Sequence, residues 1–213
     1  MKIPYQVGIT GGIGAGKSLV CKIFECLGVP IYDADSHAKA LMTTDGILIT
    51  NIQKEFGHLS YDEDGTLNRK YLGETVFNDP LKLEKLNYLV HPRVMEDYSQ
   101  WIQEHLLHDY ILKEAALLFE TDSYKELDKI IVVHAPEALR IKRVLLRDAN
   151  RTEKMVRQII SNQISEGEKL NRGDFILYND ENQLLIPQIL TLHHRFITNN
   201  IGIHKALDSN SPT

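Results

Sequence analysis

The 213-residue sequence predicts an α/β fold: a parallel five-stranded sheet with helices on both faces, interrupted by a helical insertion. Short apolar runs at 5–9, 29–33, 110–115, 129–134 and 174–178 read as strands, and each is followed by a helical pattern. Short strands that alternate with helices imply parallel pairing, because the crossover helix returns the chain to the same end of the sheet. Between the second and third runs there is no clear strand. Helical spacing recurs there, as at Leu81, Leu83, Leu86, Leu89 and Val90. The expected organisation is a core of residues 1–36 and 108–200, an insertion at 37–107, and a tail without order at 201–213.

The first strand run, from Tyr5, leads into Gly11-Gly12-Ile13-Gly14-Ala15-Gly16-Lys17-Ser18, which fits G-x-x-x-x-G-K-[ST]. An apolar-periodic helix follows from Leu19 to Phe24. Glycines at a strand-to-helix turn let the backbone curl around a phosphate chain, with amides at the positive helix end pointing at it. Lys17 adds a mobile positive charge, and the Ser18 hydroxyl is placed to ligate Mg2+. The expected function therefore begins with phosphate binding.

The second strand run ends in Asp33-Ala34-Asp35. A carboxylate there lies near the γ-phosphate, where it can accept a proton from an attacking hydroxyl. A helix starting at Ser36 needs a cap, so the cap is assigned to Asp35 or Ser36 and the chemical role to Asp33. The third run leads to Leu117-Leu118-Phe119-Glu120, a loose Walker-B-like pattern that a core strand with a solvated Glu also explains.

From 140 to 157 the chain carries seven basic side chains, Arg140, Lys142, Arg143, Arg147, Arg151, Lys154 and Arg157, against two acidic ones. Arg143, Arg147 and Arg151 follow i, i+4, i+8 and are expected on one helix face, where like charges repel. A solvated face is the bland alternative. In an otherwise acidic chain the run reads as an arginine lid, about 140–172, closing over triphosphate, with Arg147 the first contact.

Taken together, these segments resemble the dephospho-coenzyme A kinase family. The matching residues are Gly8 to Ser18, Leu27-Gly28, Asp33-Ala34-Asp35, Leu86-Asn87 with His91-Pro92, Leu117 to Glu120, Arg143 with Arg147, Gln163, and Asp174 with Asn179. The resemblance spans about residues 3–195 and implies a three-layer P-loop kinase fold with a helical substrate-binding insertion and a helical lid. It implies ATP as co-substrate, with Mg2+, and dephospho-coenzyme A as acceptor. It carries Asp33 over as base, Lys17 and Arg147 as catalytic cations, and residues 11–19 with Arg143, Arg147 and Asn179 as the ATP-binding set. Asn179 would lie near the adenine, and Arg69 and His91 would join Asp33 at the acceptor. Two positions depart from the family pattern: Leu19 stands where Thr is usual, and Ala115-Ala116 replaces a Pro-containing approach.

Rival classes leave marks that can be sought. A GTPase switch needs N-K-x-D, and none occurs; Asp62-Glu63-Asp64-Gly65 matches D-x-x-G only by letters, inside the insertion. A nucleoside or nucleotide monophosphate kinase shares the core and differs in the acceptor insertion. A non-catalytic nucleotide-binding module would not need Asp33, Lys17, Ser18 and the arginines together. A net charge of −5 argues against nucleic-acid partners. The sequence contains no apolar run of spanning length and no signal peptide, so no membrane partner and a cytoplasmic location are expected. Cys21 and Cys26, five apart on one helix, are expected to remain thiols, and the enzyme to be a monomer or weak homo-oligomer.

Overall fold

The computed structural model describes residues 3–77 and 79–208. In chain order the elements are β1 (Tyr5–Thr10), α1 (Lys17–Cys26), β2 (Ile31–Asp33), α2 (Ala34–Thr44), α3 (Gly46–Phe56), α4 (Arg69–Phe77) and α5 (Pro80–Glu104). They continue with β3 (Tyr110–Glu114), β4 (Lys129–His134), α6 (Glu137–Arg147), α7 (Glu153–Ser161), α8 (Glu166–Arg172), β5 (Phe175–Tyr178) and α9 (Leu185–Asp208). The five strands lie in the order β2-β3-β1-β4-β5. Ile9 of β1 stands opposite Glu114 of β3 and Ile131 of β4, and Val133 of β4 opposite Leu177 of β5, all in parallel register.

That order places β1 at the centre and reverses direction on either side of it. In an open parallel sheet such a reversal leaves a crevice beyond the C-terminal strand ends. The glycine-rich loop leaves β1 at that point. Strand composition fits the position: the last four residues of β1 are buried, as a central strand covered on both faces requires.

The chain divides into two compact units, one formed by the segments up to Tyr32 and from His105 onward, the other by Asp33–Glu104. In the first, Val7, Ile9, Val20, Phe24, Leu112, Ile131, Val133, Leu177 and Phe196 form one apolar cluster that joins the sheet to α1 and α9. In the second, Leu48, Ile52 and Phe56 of α3 pack with Tyr61, Leu67, Leu72 and Val90. The helical spacing expected around residues 81–90 is only partly core: Leu86, Leu89 and Val90 pack inward, whereas Leu81 and Leu83 are exposed. Strand β2 starts at Ile31, two residues later than expected. Pro30 has no N–H to donate, although its carbonyl accepts a bond from Leu112 at 2.9 Å. The tail expected to lack order is helical as far as Asp208, because propagation adds one bond per residue and no proline intervenes before Pro212. Residues 209–213 lie outside the described residues. Among the described residues no helix is long and apolar enough to cross a membrane.

One polar contact at the margin of the first core is expected to couple stability to pH. The Tyr110 hydroxyl lies 2.6 Å from His193 Nδ1. Burial, and secondarily the neighbouring His194, hold the His193 imidazole below its ordinary 6.5. The folded state thus binds this proton more weakly than the unfolded chain, so the contribution is present above about pH 6.5 and is lost as pH falls below it. Thermal unfolding should shift to lower temperature between pH 7 and pH 5, and the shift should shrink in His193→Gln. An equal shift in the variant would place the titration elsewhere.

Candidate active site

The loop after β1 owes its shape to backbone positions that only glycine enters readily, Gly14 (φ +79°) and Gly16 (φ +99°) among them. A methyl group on Gly14 would overlap the Arg140 carbonyl, and one on Gly16 the Asn179 side-chain amide. Gly16 is also the N-cap of α1 and carries no side chain, so no cap competes for the first-turn amides. Lys17 is the first helical residue. Its Nζ donates to the Gly11 carbonyl at 3.2 Å and stands 4.0 Å from Glu114 Oε1, both side chains being mostly buried.

Glu114, the last residue of β3, was not among the residues the sequence pointed to. It ends the strand beside β1, which is where an acid could act on a loop-bound cation or on Lys17. The signal lay in the sequence, as an apolar run ending in Glu. The more familiar Leu117 to Glu120 pattern drew the Walker-B reading instead. Glu120 sits in the turn after β3; its Oε1 accepts from Ile164 N–H at 3.0 Å, and its Oε2 is buried with no hydrogen-bond partner among the described residues.

The loop is braced by residues from the following elements. Asn179 Nδ2 donates to the Ala15 carbonyl at 2.8 Å, and Arg143 Nη1 donates to the Asn179 carbonyl at 2.9 Å. Gln163 Oε1 accepts from Ile13 N–H at 3.3 Å. Arg140 is 3% exposed and lies against the loop; its Nε donates to Ala135 O at 3.0 Å, and its Nη2 is 3.5 Å from Glu166 Oε2. His134 Nδ1 contacts Glu166 Oε1 at 2.8 Å. Lys169 is 1% exposed, and burial holds its ammonium below the ordinary 10.5 despite the nearby Glu120 and Glu166 carboxylates. Arg140 stood out only as one member of the basic run, where nothing marks which side chain turns inward, and Glu166 and Lys169, beyond that run on α8, carried no signal of their own.

The arginine run departs from the expected single helix face. Helix α6 ends at Arg147, Asp148 is its C-cap, and Thr152 caps α7 by accepting from Met155 N–H. Asp148-Ala149-Asn150 is poor helix sequence, because Asp and Asn bond the nearby backbone in other conformations. Arg143 and Arg147 therefore share a face of α6, and Arg151, beyond the helix end, leaves it. Arg147 is 63% exposed and bonds Asp148 at 2.8 Å, and Arg151 reaches the same carboxylate at 3.2 Å. Asp148 thus relieves the repulsion expected there, and Arg140, not Arg147, is the arginine brought onto the loop.

The caps are also exchanged relative to expectation. Asp33 is the N-cap of α2: Oδ1 accepts from Ser36 N–H at 3.0 Å and Oδ2 from the Ser36 hydroxyl at 2.6 Å. Asp35 lies in the first turn. The helix begins at Ala34, two residues earlier than expected, and the cap moves with it. Ser18 and Leu19 are exposed on the first turn of α1, Arg69 is exposed at the start of α4, and His91 is half-buried on α5. Of the remaining candidates, Gly11 to Ser18, Arg143 and Asn179 come together around the loop.

The family model described as dephospho-CoA kinase matches residues 5–184. This chain belongs to that family. A dephospho-CoA kinase of Bacteroides fragilis strain YCH46 is 38% identical over 190 residues, covering 88% of this chain and 90% of its own length. That of Salinibacter ruber is 39% identical over 177 residues, covering 82% and 88%. Among solved structures, TT1252 from Thermus thermophilus superposes with a TM-score of 0.81 at 28% identity, over 91% of this chain and 98% of that one. The dephospho-CoA kinase from Campylobacter jejuni gives 0.68 at 26% identity, over 92% and 98%. The family thus has the P-loop kinase architecture seen here.

The cap geometry sets a measurable expectation. Asp33→Ala should destabilise the fold by about 1 kcal/mol, the usual loss on removing an N-cap, and Asp35→Ala, which removes no cap, should cost less. Denaturant unfolding of both variants checks this, and the reverse order would restore Asp35 as the cap.

Proposed function

We propose that this chain transfers the γ-phosphoryl group of ATP to the ribose 3′-hydroxyl of dephospho-coenzyme A, yielding coenzyme A and ADP. The observation that carries the reading is the glycine-rich loop at the strand-order reversal in a chain matched by the family over residues 5–184. In the transfer a bond forms between the acceptor oxygen and Pγ, the bond from Pγ to the β–γ bridging oxygen breaks, and the hydroxyl proton leaves.

Such a reaction is mostly positioning and charge neutralisation. The Gly11–Ser18 amides and Lys17 hold the phosphates. Asp33 takes or orients the hydroxyl proton; each of its oxygens accepts one bond from Ser36 and retains a further lone pair for this. Arg143 and Arg147 supply further positive charge, Asn179 borders the nucleotide, and Arg69 and His91 serve the acceptor. Oxygen donors at Ser18 and Glu114 suit a hard cation such as Mg2+, and no ready-made cluster of three or more His, Cys, Asp or Glu occurs among the described residues. That fits a cation carried in with the nucleotide, which supplies charge neutralisation at the phosphates when bound. The acidic balance of the chain supports the absence of a nucleic-acid partner. A cytoplasmic monomer or weak homo-oligomer belongs to the same proposal.

A substrate panel decides the acceptor. With ATP and Mg2+, ADP release should be fastest with dephospho-coenzyme A, and slower with AMP, CMP, adenosine or pantothenate. Faster turnover of AMP or CMP would assign the chain to nucleotide monophosphate phosphorylation instead.

Asp33→Asn keeps an oxygen for the cap and removes the charge, so it should fold normally and lose about 100-fold or more in kcat, the scale of general-base help. Asp35→Asn should retain most activity. Steady-state kinetics of the two variants test the role, and a larger loss in Asp35→Asn would transfer it.

A further inference from the structure

We propose that Arg140 is a positioning residue for the phosphate-binding loop, and that glycine at position 12 is demanded by this guanidinium and not by its own backbone. Three observations meet here. Gly11, Gly14 and Gly16 have positive φ, whereas Gly12 does not, so an alanine at position 12 fits the backbone. A methyl group there would overlap Arg140 Nη1, come within 2.8 Å of its Cζ, and stand 3.4 Å from Glu166 Oε2. The carbonyl of the same Arg140 lies against Gly14, so one residue bounds the loop at two places.

An exposed arginine would swing away from an added methyl at little cost. This one is held. It is 3% exposed, and its Nε bonds the Ala135 carbonyl at the end of β4. Its Nη2 faces Glu166 of α8, which is in turn fixed by His134. Displacing the guanidinium would leave buried donors and a carbonyl unpaired, a loss larger than the gain from any single bond made elsewhere. The loop would give way instead, moving amides that must point at phosphate.

The consequence is a coupling between two positions. Alanine at 12 should be harmful only while a held arginine occupies the space beside it. In Gly12→Ala, ATP affinity should fall about tenfold, with KM for ATP raised and KM for the acceptor unchanged. Arg140→Ala should weaken ATP binding by a similar factor. The double variant should be no worse than Arg140→Ala alone, because the methyl then meets empty space.

The test is ATP binding by calorimetry, with KM for each substrate and the thermal midpoint, on the full chain, the two single variants and the double. ATP affinity does not depend on which acceptor is correct, so this proposal and the acceptor assignment fail separately. Losses that multiply in the double variant would overturn it. So would a Gly12→Ala protein within twofold of the parent, or a Gly12→Ala loss spread over both substrates alike. If Arg140→Ala does not fold, Glu166→Gln replaces it. That change loosens Nη2 while keeping the Nε bond, and it should reduce the Gly12→Ala loss. An undiminished loss in that background would equally overturn the proposal.

Discussion

A phosphate-binding loop has no core of its own, so its shape must be imposed by what surrounds it. Here that constraint is met by close backbone approach on four sides. Gly11 lies against the Val133 carbonyl, Gly12 against the Arg140 side chain, Gly14 against the Arg140 carbonyl, and Gly16 against Asn179. These neighbours come from the end of β4, from α6 and from the residue that follows β5. They are delivered together because β1, β4 and β5 are adjacent parallel strands. The sheet order is therefore a condition of the loop geometry as well as a scaffold beneath it. A side chain at any of these glycines must displace backbone or a held group, and interiors packed to this density do not yield without disturbing their neighbours.

The charges around the loop divide into two kinds. Arg140, Lys169 and Glu166 form a mostly buried set beside Glu120, and α8 is fastened further by Arg172, whose guanidinium lies 4.5 Å from the Phe119 ring centroid and 4.7 Å from that of Tyr124. Buried ion pairs contribute little net stability, because desolvation offsets the attraction, but breaking one partner away is strongly unfavourable. Their effect is placement. The pairs of Arg147 and Arg151 with Asp148 are more exposed, and such pairs contribute at most about 1 kcal/mol. The basic segment thus contains a fixed inner part and an outer part held only weakly, and α8 belongs with the first.

Much of this was legible in the sequence because the constraints are local. Strand runs, the glycine spacing and the helix that follows depend on residues within one or two turns of one another, and the five strands appear where those patterns stand. Other features depend on neighbours far along the chain. Whether Arg140 or Arg147 turns inward is decided by Ala135 and Glu166, and the acid beside Lys17 by the pairing of β3 with β1. The cap at Asp33 turned on a shift of two residues in the helix start, a margin at which helix ends are poorly marked. The break at Asp148-Ala149-Asn150 was readable, but regular spacing of arginines outweighed poor helix formers. A charge pattern says nothing about continuity of backbone.

Lys17 and Arg140 are two cations that meet one loop in different ways. Lys17 is engaged by the Gly11 carbonyl at 3.2 Å, and Glu114 stands at the 4.0 Å limit of an ion pair. A phosphate oxygen carrying negative charge is a stronger acceptor for the ammonium than the carbonyl, and the Glu114 contact lies at the outer limit of an ion pair. Lys17 can therefore follow a phosphate as charge develops on it. Arg140 is buried, donates from Nε to the Ala135 carbonyl and pairs with Glu166 through Nη2, and it stays in place. A reaction that moves negative charge along a triphosphate needs both behaviours: a fixed group to keep the cradle in register and a mobile one to track the charge. The sequence motif names only the mobile one; the fixed one becomes visible once the sheet brings α6 against the loop.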